Sequence, residues 1–186
     1  MTRQKVSWLG RARRAAGRED GTVTVEFVIL FPMFVSLLLM SFEAGMLMTR
    51  FIMLERALDI TVRDIRIGNY EFPTPANATE AHDMVKADIC ARSILMPNCM
   101  QDLMLEMRPV NRTTWAGMDA SPDCIERGEP LGEVSFAPGA QNQLMLIRAC
   151  AVFDPFFPTT RFGLRLRLDP SGGYQMAAMS AFVNEP

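Results

Sequence analysis

The feature that most constrains this chain is the predominantly apolar stretch from Phe27 to Met48, which carries a single charge, Glu43. At about 1.5 Å per residue it makes a helix roughly 33 Å long, enough for a bilayer core. A carboxylate, Glu26, stands directly before it, at the end of the run Gly21-Thr22-Val23-Thr24-Val25-Glu26. A charge at the mouth of a span costs a few kcal/mol even on lenient insertion scales, so Glu26 asks for a functional explanation. Glu43 falls near the outer end of the span, within reach of headgroups or a partner.

Charge sets the orientation. Residues 1–20 carry Arg3, Lys5, Arg11, Arg13, Arg14 and Arg18 against only Glu19 and Asp20. The whole chain has a net charge of −2, so the remainder is acidic. A basic tail before an apolar span stays in the cytoplasm, with the acidic bulk outside. The adjoining span argues against reading the arginines as a nucleic-acid arm. An ordinary cleavable signal peptide needs small residues one and three places before its cut. Gly45 is preceded at that distance by Glu43, and Ala44 by Phe42, so the span is read as retained.

Beyond the span, Leu47, Phe51, Leu54, Leu58, Val62 and Ile65 recur at spacings of three and four, the mark of an amphipathic helix. Arg50, Glu55, Arg56, Asp59, Arg63 and Arg66 occupy much of its other side, with Asp59 and Arg63 at i,i+4. Gly68-Asn69 is a helix stop. One helix from about Thr24 to Ile67 is expected, roughly 65 Å long, its first half in lipid and its second the spine of an external domain.

A link at Phe72–Asn77 follows, then a helix of about Glu80 to Leu95 with Thr79 as its N-cap, stopped at Met96-Pro97-Asn98. Leu103, Leu105 and Met107 alternate with Asp102, Met104, Glu106 and Arg108, which predicts a half-buried strand, and Pro109 puts its end near an edge. Asn111 to Asn142 reads as irregular, Leu144 to Phe153 as a central strand. Arg161 to Leu168 alternates strictly and reads as a further strand. Asp169-Pro170-Ser171-Gly172-Gly173 is a turn before a last strand, Tyr174 to Val183. Helices followed by strands give an α+β fold with a small antiparallel sheet beside the long helix. The division expected is a basic leader at 1–21, the helix at 22–67 and an external α+β domain at 68–186.

Four cysteines, Cys90, Cys99, Cys124 and Cys150, all fall on the external side, which suits two disulfides in an oxidising periplasm. Three pairings are possible. The pairing favoured is Cys90–Cys99, closing a short helix-to-loop connection, with Cys124–Cys150 pinning the long loop to the central strand. Each bridge is worth roughly 2–4 kcal/mol. Zinc is disfavoured, because no C-x-x-C spacing exists and the only histidine, His82, stands apart. His82 has no nucleophile motif around it and reads as an exposed polar position. G-x-S-x-G, P-loop and H-E-x-x-H patterns are missing from the sequence, so neither an enzyme nor a cofactor is expected. Met104 with Met107, and Met176 with Met179, are read as adaptable packing residues before copper ligands. Arg161, Arg165 and Arg167, near Phe156-Phe157, form either a cationic edge for anionic headgroups or a solvated strand face.

The run Gly21 to Phe27, followed by Leu30-Phe31-Pro32 and Glu43-Ala44-Gly45, resembles the TadE-like family, pilin-like proteins of the tight-adherence (Tad, Flp) pilus machinery. The helix through Arg50, Arg56-Ala57 and Val62-Arg63, and the ending Ala181-Phe182-Val183-Asn184-Glu185-Pro186, are similar as well. The opening also resembles type IV prepilin leaders, cut after a glycine with glutamate fifth in the mature chain. This resemblance implies a minor pilin or pseudopilin of the bacterial inner membrane, needed for pilus assembly or adhesion. Implied partners are the prepilin peptidase, other pilin-like subunits, inner-membrane assembly proteins and the lipid bilayer. Gly21 would precede the scissile bond, Thr22 would carry the new amino terminus, and Glu26 would serve assembly. Threonine departs from the bulky first residues of major pilins. The alternative from another class, a membrane-anchored periplasmic enzyme or ligand-binding sensor, needs a clustered polar set that the sequence does not display.

The charge asymmetry predicts that reporters fused after Gly68 are active only when they are periplasmic ones. A cytoplasmic reporter active at that junction overturns the topology.

Overall fold

The computed structural model of the chain describes residues 22–72, 77–114, 121–128, 135–157 and 167–185. Its longest element is α1, Thr22–Arg66, a continuous helix with Pro32 inside it. Proline lacks the N–H that would bond back to Val28. Farther along, the Ser36 and Ser41 hydroxyls donate to the carbonyls of Met33 and Leu37, each at 2.8 Å. Arg63 and Arg66 lie in the last turn, where cations suit the helix dipole. Gly68 then takes φ +76°, the left-handed conformation that closes helices, and Asn69 N–H donates to Asp64 O at 3.0 Å.

The chain divides into two compact units between Phe42 and Glu43. The described part of the first is the opening of α1. The second holds the rest of α1 together with α2 (Ala78–Arg92), α3 (Cys99–Asp102), β1 (Leu103–Pro109), β2 (Leu144–Phe153) and β3 (Tyr174–Val183). The strands form an antiparallel sheet in the order β1-β2-β3, Leu105 opposite Ala149 and Ala149 opposite Ala178. Alternate residues of each strand face one way. Leu105, Met107, Met145, Ile147 and Phe182 join Leu54, Leu58 and Val62 of α1 and Val85 and Ile89 of α2 in one core. This is the α+β arrangement the sequence predicts.

Several local expectations are corrected. The N-cap of α2 is Asn77, whose Oδ1 accepts from Thr79 N–H at 3.2 Å, so Thr79 lies inside the first turn. The helix ends at Arg92 instead of Leu95, where Ser93 N–H turns back to Cys90 O at 3.2 Å. Strand β1 is buried on both faces, with Met104 and Glu106 as enclosed as Leu105. The cause is the segment 121–128. Glu106 Oε2 accepts from Arg148 Nε at 2.6 Å and from Asp123 N–H at 3.3 Å. Arg148 Nη2 also reaches Ser121 O at 3.1 Å. Most of the expected strand at Arg161–Leu168, including Arg161 and Arg165, lies outside the described residues. Leu168 bridges Tyr174, and Arg167 O accepts from Gln175 N–H at 2.8 Å. The turn at 169–173 forms around Asp169 Oδ1, which accepts from Gly173 N–H at 2.6 Å.

His82 is the largest local surprise, for it is only 1 % exposed. Its Nε2 faces Leu105 N–H at 3.4 Å, and its Nδ1 meets Asp83 Oδ1 at 2.9 Å. With the proton on Nδ1, the ring donates to Asp83 and accepts from β1. Beside it, Met107 bonds Ser135 O and Ala137 N–H, at 3.0 and 2.9 Å. His82 and the 135–137 segment therefore occupy the outer edge of β1, which would otherwise present open backbone groups.

Burial pushes the His82 pKa below the ordinary 6.5, and nearby Lys86 pushes the same way, while Asp83 opposes. The unfolded chain thus binds a proton that the fold resists, so stability falls as pH drops below about 6.5. Unfolding midpoints of the full chain in detergent between about pH 7.5 and 5.5 should show that slope. His82→Gln, which retains an acceptor and removes the titration, should flatten it. An unchanged slope in the variant would assign the effect to other groups.

Candidate assembly surface on the N-terminal helix

In the first unit, α1 presents apolar side chains all round. Val23 is 71 % exposed, Phe27 59 % and Phe34 60 %. An exposed apolar surface of this extent calls for lipid or protein around it. Among the described residues, α1 is the one helix long and apolar enough to cross a membrane. Phe27 and Phe31, one turn apart, stack with ring centroids 5.0 Å apart.

Of the sequence-predicted site residues, Gly21 lies outside the described residues and Thr22 opens α1. Glu26 follows four residues later on the exposed helix surface, between Val25 and Phe27. It makes no hydrogen bond or ion pair among the described residues. The helix thus presents a carboxylate in an apolar surface without supplying its counter-charge.

Glu43 behaves oppositely, and the expectation that it reaches headgroups is corrected. It is 3 % exposed. Its Oε1 accepts from Phe156 N–H at 2.9 Å and its Oε2 from Phe157 N–H at 3.1 Å. Arg50, seven residues on, donates from Nη1 to Asp154 O at 3.0 Å and lies 4.7 Å over the Phe156 ring. Two residues of one helix face thereby grip the chain that leaves β2. Such charge-assisted bonds are what make a buried carboxylate tolerable. A signal for this was present: Glu43, Leu47, Arg50 and Leu54 share one helix face by their spacing.

The remaining polar groups brace the second unit. Arg127 makes paired 2.8 Å bonds to both oxygens of Asp102 and also contacts Asp154. Burial alone would raise the Glu106 pKa, but the hydrogen bond and charge of Arg148 outweigh it and hold the carboxyl below its usual range. Disulfides join Cys90 to Cys99 and Cys124 to Cys150, with Cα separations of 5.5 and 5.2 Å. Lys86 is buried beside a groove lined by Gln101, Asp102 and Arg127, and burial lowers its pKa against the pull of Asp83 and Asp102. Met104 and Met107 lie on opposite sheet faces, as do Met176 and Met179, so neither pair converges as thioether ligands. No group of three His, Cys, Asp or Glu disposed to hold a metal occurs among the described residues.

The decisive comparison concerns α1. Residues 21–63 match the model of the TadE-like protein family. The TadE-like segment contains Gly21, Thr22 and Glu26, continues through Glu43 and Arg50, and stops at Arg63, before the sheet. It connects the chain with the Tad pilus system. No curated protein and no solved structure matches the chain.

The Glu43 clamp predicts that Glu43→Ala frees the 154–157 segment while the sheet persists. Hydrogen exchange of the full chain should show the Phe156 and Phe157 amides exchanging roughly tenfold faster or more, since hydrogen bonds to charged groups are worth about 1.5–3 kcal/mol. Unchanged protection there would remove the clamp.

Proposed function

We propose that the chain is a minor pilin or pseudopilin of a tight-adherence pilus, held in the bacterial inner membrane by the first part of α1. The carrying observation is that the TadE-like match covers the helix that is apolar on every side up to Phe42. The tail before Gly21 stays cytoplasmic in this reading, and the second unit folds in the periplasm, where its two disulfides are stable. A prepilin peptidase cuts between Gly21 and Thr22. The product then serves in pilus assembly or adhesion alongside other pilin-like subunits and inner-membrane assembly proteins.

In this reading Glu26 supplies register. Cleavage gives Thr22 a free amino group, a cation that can meet Glu26 of the same or a neighbouring subunit. Two unit charges 4 Å apart attract by about 4 kcal/mol at an effective dielectric near 20, enough to favour one alignment. Carboxylates at a span are costly unless so matched.

Intact mass is the direct test. The protein from peptidase-positive cells should lack residues 1–21, and the protein from peptidase-negative cells should retain them. Equal masses would refute processing. Glu26→Gln should leave expression, cleavage and both disulfides intact while reducing piliation or recovery of partner subunits. Full piliation at normal protein level would remove the charge-pair role.

A further inference from the structure

The segment that leaves β2 is held at one place on α1. Glu43 accepts the amides of Phe156 and Phe157, at 2.9 and 3.1 Å, and Arg50 donates to Asp154 O at 3.0 Å. That place fixes its depth. The apolar side chains that α1 exposes over residues 23–42 cover about 30 Å of helix, the thickness of a bilayer core. A hydrocarbon core around them ends where Glu43 begins, so Pro155-Phe156-Phe157 falls at headgroup level. Its chemistry suits that level. Phe156 is 47 % exposed, with the Arg50 guanidinium over its ring. Arg50 makes no ion pair among the described residues, and its Nε is buried without a hydrogen-bond partner. Asp154, the acid beside the segment, is held instead by Arg127 Nη2 at 3.2 Å. An exposed ring next to an uncompensated cation lacks an apolar medium and an anion, and the headgroup–acyl boundary supplies both.

We propose that segment 155–157 is a second membrane contact, resting in the headgroup–acyl boundary of the phospholipid bilayer that α1 spans. The Phe156 ring meets the acyl chains there, and Arg50 meets lipid phosphates. This step rests on the membrane-anchored reading above. The chain then touches the bilayer both through its span and through this segment. Burial of Glu43 acquires a purpose as well. A carboxylate turned to water at this position would only tolerate the interface, whereas one that binds two amides sets a ring and a guanidinium at a depth where both are stabilised.

The test uses the purified full chain in phosphatidylethanolamine–phosphatidylglycerol vesicles, with Trp8→Phe and Trp115→Phe as background and one tryptophan added at a time. The vesicles carry phospholipids brominated either near the headgroup or near the acyl-chain ends, which quench tryptophan at matching depths. Phe34→Trp, within the span, should be quenched most by the deep bromines. Phe156→Trp, with Pro155→Trp as a second reporter, should be quenched about twofold more by the shallow bromines than by the deep ones. Ile67→Trp, just past the end of α1 and about 35 Å from Glu43 along its axis, should be quenched by neither. Quenching at 34 with none at 155 or 156, stronger quenching there by the deep bromines, or equal quenching at 67 would overturn the proposal and leave the anchored reading standing. No quenching at 34 would overturn the anchored reading and this proposal with it.

Discussion

The rest of the structure depends on a change in the solvent that α1 is built for, and that change falls at Glu43. From Phe27 to Phe42 the helix exposes apolar side chains along its length, a surface suited to lipid or to other apolar helices. From Glu43 onward it has one buried stripe and one exposed stripe, the pattern of a helix packed on its own domain. The first buried residue after the change is a carboxylate, and it is buried because two backbone amides of the 156–157 segment meet it. The apolar stripe then continues through Leu47, Leu54, Leu58 and Val62 into the core face of the sheet. One helix thus serves two environments without a break in its backbone.

A three-stranded sheet with one long helix encloses little apolar volume for its surface. The second unit compensates with polar and covalent fasteners on the sheet's other face. Glu106 and Arg148 form a pair almost without solvent, and Ser121 O and Asp123 N–H add contacts. A buried ion pair is weak evidence of net stability, but removing one partner leaves an isolated charge, which fixes the segment's position. The Cys124–Cys150 bridge holds the same segment to β2. Arg127 joins it to Asp102 at the start of β1 and to Asp154 beyond β2.

The apolar run and the spacing of three and four made α1 legible, a short apolar run framed by loops made the central strand legible, and the turn at 169–173 marked the last strand. The half-buried reading of β1 failed for a physical reason. A period of two reports one wet face, and Met104 and Glu106 are covered by a distant segment whose docking leaves no local mark. His82 failed in the same way: a single polar residue in a helix does not reveal that its ring will meet a strand edge. The N-cap of α2 was misassigned between two neighbours of similar chemistry, Asn77 and Thr79, where only the backbone position decides. Glu43 shares a helix face by spacing with Leu47, Arg50 and Leu54, but the apolar run around it pointed to lipid, and the charge of Arg50 placed it on the opposite, polar side. Most residues that carry the family resemblance fall inside the matched segment 21–63, whereas the ending 181–186 lies outside it.

Glu26 and Glu43 meet opposite fates in one helix. Both are single carboxylates in the same helix; the sequence marks Glu26 as a costly group and puts Glu43 within reach of headgroups or a partner. Glu43 finds its partners within the chain, the amides of Phe156 and Phe157, while Arg50 grips the same segment through Asp154 O, so the cost of burying Glu43 is met by folding alone. Glu26 finds none among the described residues. A carboxylate left unmatched among the described residues of an apolar surface is stabilised by a counter-charge from beyond them, whether from a partner or from a change to the chain itself. Under the proposed processing, cleavage beside Gly21 would be such a change, since it would create a cation four residues from Glu26 in place of a neutral peptide bond. The same proteolytic step that removes the basic tail would therefore give the unmatched carboxylate a counter-charge, linking processing to assembly through one electrostatic contact.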